Sequence, residues 1–63
     1  MIYVICCNDS LEEATTNKAK AERRMKAMQR DHYEIAKRQG YYSSFETYCH
    51  QVYWHIHYVK EVD

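Results

Sequence analysis

At 63 residues and 7.7 kDa the chain holds one domain, residues 1–63, near the lower limit at which a single hydrophobic core sustains a fold without a disulfide or metal. Its 46% hydrophobic and 14% aromatic content, with one glycine and no proline, excludes a disordered or low-complexity polymer. A formal net charge of zero gives no overall attraction to nucleic acid or membrane.

The first segment, "IYVICC", is a six-residue apolar run rich in β-branched and aromatic residues that ends at the turn cluster Asn8-Asp9-Ser10. It predicts a strand that is hydrophobic on both faces and therefore central. Neighbouring Cys6 and Cys7 point to opposite faces of such a strand, and with Cys49 the odd total of three cysteines cannot pair fully. A reducing, cytoplasmic setting follows as the expectation. "MIYVICC" is too short and too poor in basic residues for a signal peptide, and no run approaches the roughly 20 apolar residues of a membrane span.

"LEEATT" alternates in the manner of a short second strand returning by hairpin, although the same letters are compatible with the start of a helix. From Lys18 to Gln39 the helical pattern is sustained, with Thr16 or Asn17 to cap it and Gly40 to end it. At 100° per residue Ala21, Met25, Met28, His32, Ile35 and Ala36 form an apolar stripe, opposite a charged face that includes Lys20, Arg23, Arg24, Arg30, Lys37 and Arg38. Between Asn17 and Gly40 the net charge is +5, and the rest of the chain carries −5. "SSFE" matches a capping box from Ser43 to Glu46 and predicts a possible short second helix over 43–50. "VYWHIHYV" then has the period of a strand, with Tyr53, His55, His57 and Val59 on one face and Val52, Trp54, Ile56 and Tyr58 on the other.

These elements predict an α+β fold, a two-layer β-β-α-β domain whose three antiparallel strands lie in the order 2-1-3 with one long amphipathic helix on a single face. The helix is longer than the strands, so its end is expected to be free or covered by a partner.

Three stretches resemble a loose group of small tailed-phage proteins: "YVICCND" at the start, "ATTNKAKAE" at the strand-to-helix junction, and "YWHIHYVKEVD" at the end. The resemblance implies a phage accessory protein made in the host cytoplasm, of a class whose members bind and inhibit or modulate host or defence proteins. It carries over no catalytic residue.

Chemical readings of the residues are limited. His55 and His57 project to one side about 7 Å apart along a strand, a spacing that suits two imidazoles on one metal ion. A structural zinc site needs four ligands in paired spacings that this chain lacks, so a polar strand face is the favoured reading and no cofactor is expected. His32, within the apolar stripe, reads as a buried imidazole bonded to a tyrosine or a main-chain carbonyl. Cys6 and Cys7 belong to the most buried strand, Cys49-His50 are neighbours in sequence only, and there is no phosphate-cradling glycine loop, so enzyme catalysis is not expected.

Two binding readings remain. The helix stripe of Lys20, Arg23, Arg24, Arg30, Lys37 and Arg38, with sheet aromatics to stack on bases, suits nucleic acid. Against this, Glu34 and Glu22 sit where they can pair with that stripe, and the remainder of the chain is acidic. The uncovered sheet face, with Tyr53, His55 and His57 and with Tyr41 or Tyr42 nearby, suits a protein partner and a homodimer. The favoured expectation is a non-catalytic protein that binds another protein.

Overall fold

The computed structural model describes residues 1–60. β1 (Ile2–Cys7) turns through Asn8-Asp9 into β2 (Ser10–Thr15), α1 (Lys18–Arg38) crosses the sheet, α2 (Phe45–Gln51) is a short second helix, and β3 (Trp54–Val59) returns to the sheet. The sheet is three-stranded with order β2-β1-β3, both pairings antiparallel, and β1 central. The fold is α+β, as the pattern of elements predicts.

Each element starts and stops for a local reason. Asn8 adopts φ 53, a left-handed conformation that asparagine tolerates better than most side chains, and so permits a two-residue turn. Asn17 caps α1 by accepting the Lys20 N–H on its side-chain oxygen at 2.9 Å. At the other end Gly40, with φ 79, donates to Lys37 O while Tyr41 donates to Ala36 O, the paired bonds of a Schellman motif. Ser44, one residue later than the capping-box pattern suggests, caps α2 by accepting the Thr47 N–H at 3.2 Å. That register sets Phe45 and Tyr48 against α1, where both rings meet Tyr33.

The register of β1 against β3 pairs Ile5 with Ile56 and Cys7 with Trp54, which places these four on one face. Trp54 and Cys7 pack against the core formed by Tyr33, Tyr48 and Val52, so this is the face that the helices cover. Val4, Cys6, His55 and His57 belong to the opposite face. A bulge between Ile5 and Cys6 in the β1–β2 pairing makes Glu12 the extra residue of β2.

α1 is about 32 Å long and each strand about 20 Å, so the helix runs well past the sheet. The chain itself covers that overhang: α2 packs against the C-terminal half of α1. The molecule is accordingly elongated, 47 × 19 × 15 Å, with a radius of gyration of 13.1 Å against about 10.6 Å for a compact chain of this length. The stripe on α1 departs from the regular periodicity for the same reason. Ala21 and Ala36 are buried as the stripe predicts, but Tyr33, outside the stripe, is buried as well, while Ile35, within it, is 54% exposed. Tyr33 is drawn in because α2 sets Phe45 and Tyr48 against its ring. A single helical period assumes one partner along the whole helix.

His32 bonds a tyrosine as expected but is exposed rather than buried. The hydroxyl of the fully buried Tyr48 lies 2.7 Å from Trp54 Nε1 and 2.7 Å from His32 Nδ1. Indole N–H can only donate, so the phenol oxygen accepts from Trp54, and the same hydroxyl is hydrogen-bonded to His32 Nδ1 in the direction that the imidazole tautomer sets. One hydroxyl thus joins α1, α2 and β3.

Tyr48→Phe should destabilise the domain by about 1–3 kcal/mol, the cost of leaving the indole donor and the His32 ring nitrogen without their partner, read by chemical denaturation. Burial, more than any neighbouring charge, raises the Tyr48 phenol above its usual range. The neutral phenol is favoured in the fold, so its contribution is fully present below the ordinary tyrosine pKa of about 10 and declines as pH rises beyond it. Denaturation midpoints above pH 10 should fall in the natural protein and fall less in Tyr48→Phe. Tyr33→Ala should cost about 3–5 kcal/mol, as for other buried aromatic rings, whereas Ile35→Ala should change stability by about 0.5 kcal/mol or less.

Candidate functional site

The face of the sheet away from the helices is made by alternate residues of three strands. β1 contributes Ile2, Val4 and Cys6, β2 contributes Leu11 and Ala14, and β3 contributes His55, His57 and Val59. Tyr53, just before β3, joins this face by stacking on His55 with ring centroids 4.7 Å apart and planes 16° from parallel. Leu11 is 76% exposed, Tyr53 66% and Val59 39%. A three-stranded sheet usually buries one face and solvates the other with polar side chains. Here the solvated face is largely apolar and aromatic.

Tyr53 is held rigidly. Its main-chain N–H donates to Asn8 Oδ1 at 2.9 Å and its carbonyl accepts the Asn8 N–H at 2.6 Å, so the β1–β2 turn clamps the entrance to β3. An exposed aromatic ring on a fixed backbone loses little conformational entropy when a partner covers it. Beneath it, His55 Nδ1 is the buried side-chain nitrogen that has no hydrogen-bond partner among the described residues. The Tyr53 stack, not a hydrogen bond at that nitrogen, holds the ring on this side. His57, one pleat further, is exposed.

The structure brings together Tyr53, His55 and His57. It separates Tyr41 and Tyr42 from them. Tyr42 is half-buried in the aromatic cluster on the helix side, edge-on to Tyr48 at 5.2 Å, and so belongs to the core rather than to the open face. Tyr41, 71% exposed, follows the C-terminus of α1. The strand period places Val59 on this face without singling it out as a contact residue, and it does not place Leu11 there. The clue to Leu11 is the bulge at Glu12, which sets it opposite Cys6 and is invisible in a period-2 alternation.

The six residues of the basic stripe lie on α1, on the helical layer. Arg24 reaches down to β2, where its guanidinium donates from two nitrogens to the Glu13 carboxylate at 3.0 and 3.2 Å. Arg30 stands 5.7 Å over the Phe45 ring and 3.9 Å from Glu34, and the Lys37 ammonium stands 5.9 Å from the Tyr33 ring centre. Lys20, Arg23 and Arg38 are exposed. The stripe and the aromatics of the open face are therefore on opposite layers and do not form one surface.

Cysteine chemistry is confined. Cys6, Cys7 and Cys49 are free thiols, Cys6 is buried, and burial followed by the charge of Glu12 pushes the Cys7 thiol up, away from the reactive thiolate. Cys49 Sγ accepts from Gln29 Nε2 at 3.7 Å, and the adjacent His50 lies 4.0 Å from Glu46. Among the described residues no three His, Cys, Asp or Glu side chains are grouped to hold a metal ion, and the surface forms no pocket. No helix among them is long and apolar enough to cross a membrane. No family model, curated protein or solved structure matches the chain, so the functional reading rests on this geometry and on the residues themselves.

The hydrogen bond from Arg24 holds the Glu13 carboxyl below the usual carboxylate range, with the Arg24 and Lys20 charges adding to it. A lowered folded-state pKa contributes stability above the ordinary carboxyl pKa and loses it as pH falls through the folded value. Carboxyl-detected NMR titration should therefore show Glu13 protonating below the ordinary glutamate range, and Arg24→Gln should return it toward that range.

Proposed function

We propose that this chain is a non-catalytic binding protein whose open sheet face docks on another protein. The observation that carries the reading is the apolar and aromatic character of that face: Leu11, Tyr53 and Val59 stand out to solvent around two imidazoles, on a sheet with helices on its other side only. Aromatic residues with histidine and aliphatic neighbours, and without charged side chains at the centre, have the composition of an interface core.

The resemblance to small tailed-phage proteins supplies the class of partner. On that reading the target is a host or defence protein in the bacterial cytoplasm, and binding inhibits or modulates it. Rigid presentation of Tyr53 by the Asn8 clamp supports a surface that is ready before the partner arrives.

The test is capture from bacterial lysate by tagged protein after nuclease and chelator treatment, with mass spectrometry of the eluate. A stoichiometric host protein should be retained by the natural sequence and lost with Leu11→Glu, while far-UV circular dichroism is unchanged. His55→Ala combined with His57→Ala should weaken the same complex at least tenfold, about 1.4 kcal/mol. Equal capture by all variants would remove the open face from the interface. Recovery of nucleic acid alone, lost at high salt and abolished by charge reversal at Arg23 and Arg24, would transfer the function to the helix stripe.

A further inference from the structure

β2 and β3 are both edges of the three-stranded sheet, but they are not equivalent. β2 has a bulge in its pairing with β1 and carries Glu12 and Glu13, and bulges and charges are the devices that keep an edge from pairing with another chain. β3 has neither. Trp54–Val59 contains no Lys, Arg, Asp, Glu or Pro, and its register against β1 runs unbroken from Ile2 opposite Val59 to Cys7 opposite Trp54. Among the described residues, no backbone hydrogen bond outside the β1–β3 ladder involves β3. One edge is protected and the other is open.

The open edge is also nearly a palindrome. Trp54-His55-Ile56-His57-Tyr58 reads aromatic, imidazole, aliphatic, imidazole, aromatic in either direction. Two identical strands that pair antiparallel about a two-fold axis place each residue opposite its mirror position, so a palindrome sets like opposite like. We propose that a second copy of this chain pairs along β3 about an axis through Ile56, making one six-stranded sheet with the order 2-1-3-3-1-2.

In this register Ile56 meets Ile56 of the second copy, Trp54 meets Tyr58 of the second copy, and His55 meets His57 of the second copy. Directly opposed residues lie on the same side of a sheet, so the helices of both copies stay on one side and the two open faces become continuous. Aromatic opposes aromatic on the helix side, where Tyr58 is 53% exposed in the single chain. No formal charge opposes another across the axis. The pairing deepens the binding reading, on which its purpose rests, because it gives the partner a doubled surface with two rigid Tyr53 rings. The pairing itself stands independently of any partner.

Light scattering on the purified full chain after size exclusion tests it. The natural sequence should show twice its 7.7 kDa mass, falling toward the monomer on dilution. His55→Lys with His57→Lys sets cation opposite cation at both cross-strand positions and should reduce the mass to that of the monomer. His55→Glu with His57→Lys sets opposite charges at the same positions and should restore the doubled mass. Leu11→Glu, on β2, should leave it doubled. Hydrogen exchange of the natural protein gives a reading without substitution: the alternate β3 amides that face away from β1 should be protected as well as those bonded to β1, and only the outward-facing set should lose protection on dilution. A 7.7 kDa mass at every concentration overturns the proposal, as does a charge-paired variant that is folded by circular dichroism yet monomeric. Loss of the dimer with Leu11→Glu overturns it in favour of packing face to face. A monomer that still captures its protein partner defeats the pairing alone, and a dimer that captures none defeats the partner reading alone.

Discussion

The fold depends on one hydroxyl. Tyr48 is fully buried at the meeting point of α1, α2 and β3, and its phenol oxygen accepts from Trp54 while the same hydroxyl is hydrogen-bonded to His32 Nδ1. Around it, the rings of Tyr33, Tyr42 and Phe45 lie 5.2 to 5.9 Å away, tilted, edge-on and stacked respectively, in a cluster that fills the space between helix and helix. Without that knot the C-terminal half of α1 would project past the sheet with nothing to bury against. A chain of this size cannot leave a third of its main helix unsupported, because isolated helical turns are marginal in water. The aromatic content is concentrated where aliphatic material is scarce. Among the described residues only Ile5 and Tyr48 are large side chains with essentially no exposure, so the two hydrogen bonds at one buried hydroxyl carry an unusual share of the organisation.

The same economy explains the open face. With one long helix and one short one, the chain has enough material to cover one side of the sheet and to close the helix overhang, but nothing left for the other side. Leu11, Tyr53, Val59 and the two histidines are the residues that this arrangement leaves outermost on that side. The Asn8 turn is the point where the two sides communicate: its left-handed backbone makes the hairpin, and its side chain and main chain together hold Tyr53 in place. Arg24 and Glu13 tie helix to sheet at the opposite edge, which removes one cation from the basic stripe and partly neutralises the segregation of charge along the chain. Net charge by segment therefore overstates the field that a phosphate backbone would meet.

Much of the architecture was legible in the residues. The apolar run of β1, the Asn17 and Gly40 caps and the alternation in β3 are local signals, and each is satisfied by neighbours within a few positions. The assignment of His55 and His57 to the side away from Trp54 and Ile56 followed from strand period alone, and the structure keeps that division. Periodicity failed at Ile35 and Tyr33 because α2 adds a second packing partner for α1, and a helical wheel has no means of marking it. It failed again at Tyr42, which looks like a surface residue beside Tyr41 until α2 brings Tyr48 against it.

By itself the sequence determined the elements, the order of the strands and the two-faced character of β3, since these depend on side-chain period, caps and turns within reach of one another. Only the tertiary structure decided what covers the helix overhang, where Arg24 spends its charge, which tyrosine is core and which is exposed, and which sheet edge is left unprotected. Those outcomes depend on contacts between residues far apart in the chain, as with Tyr53 and Asn8 or Glu13 and Arg24, whose meeting is set by the closure of the whole domain.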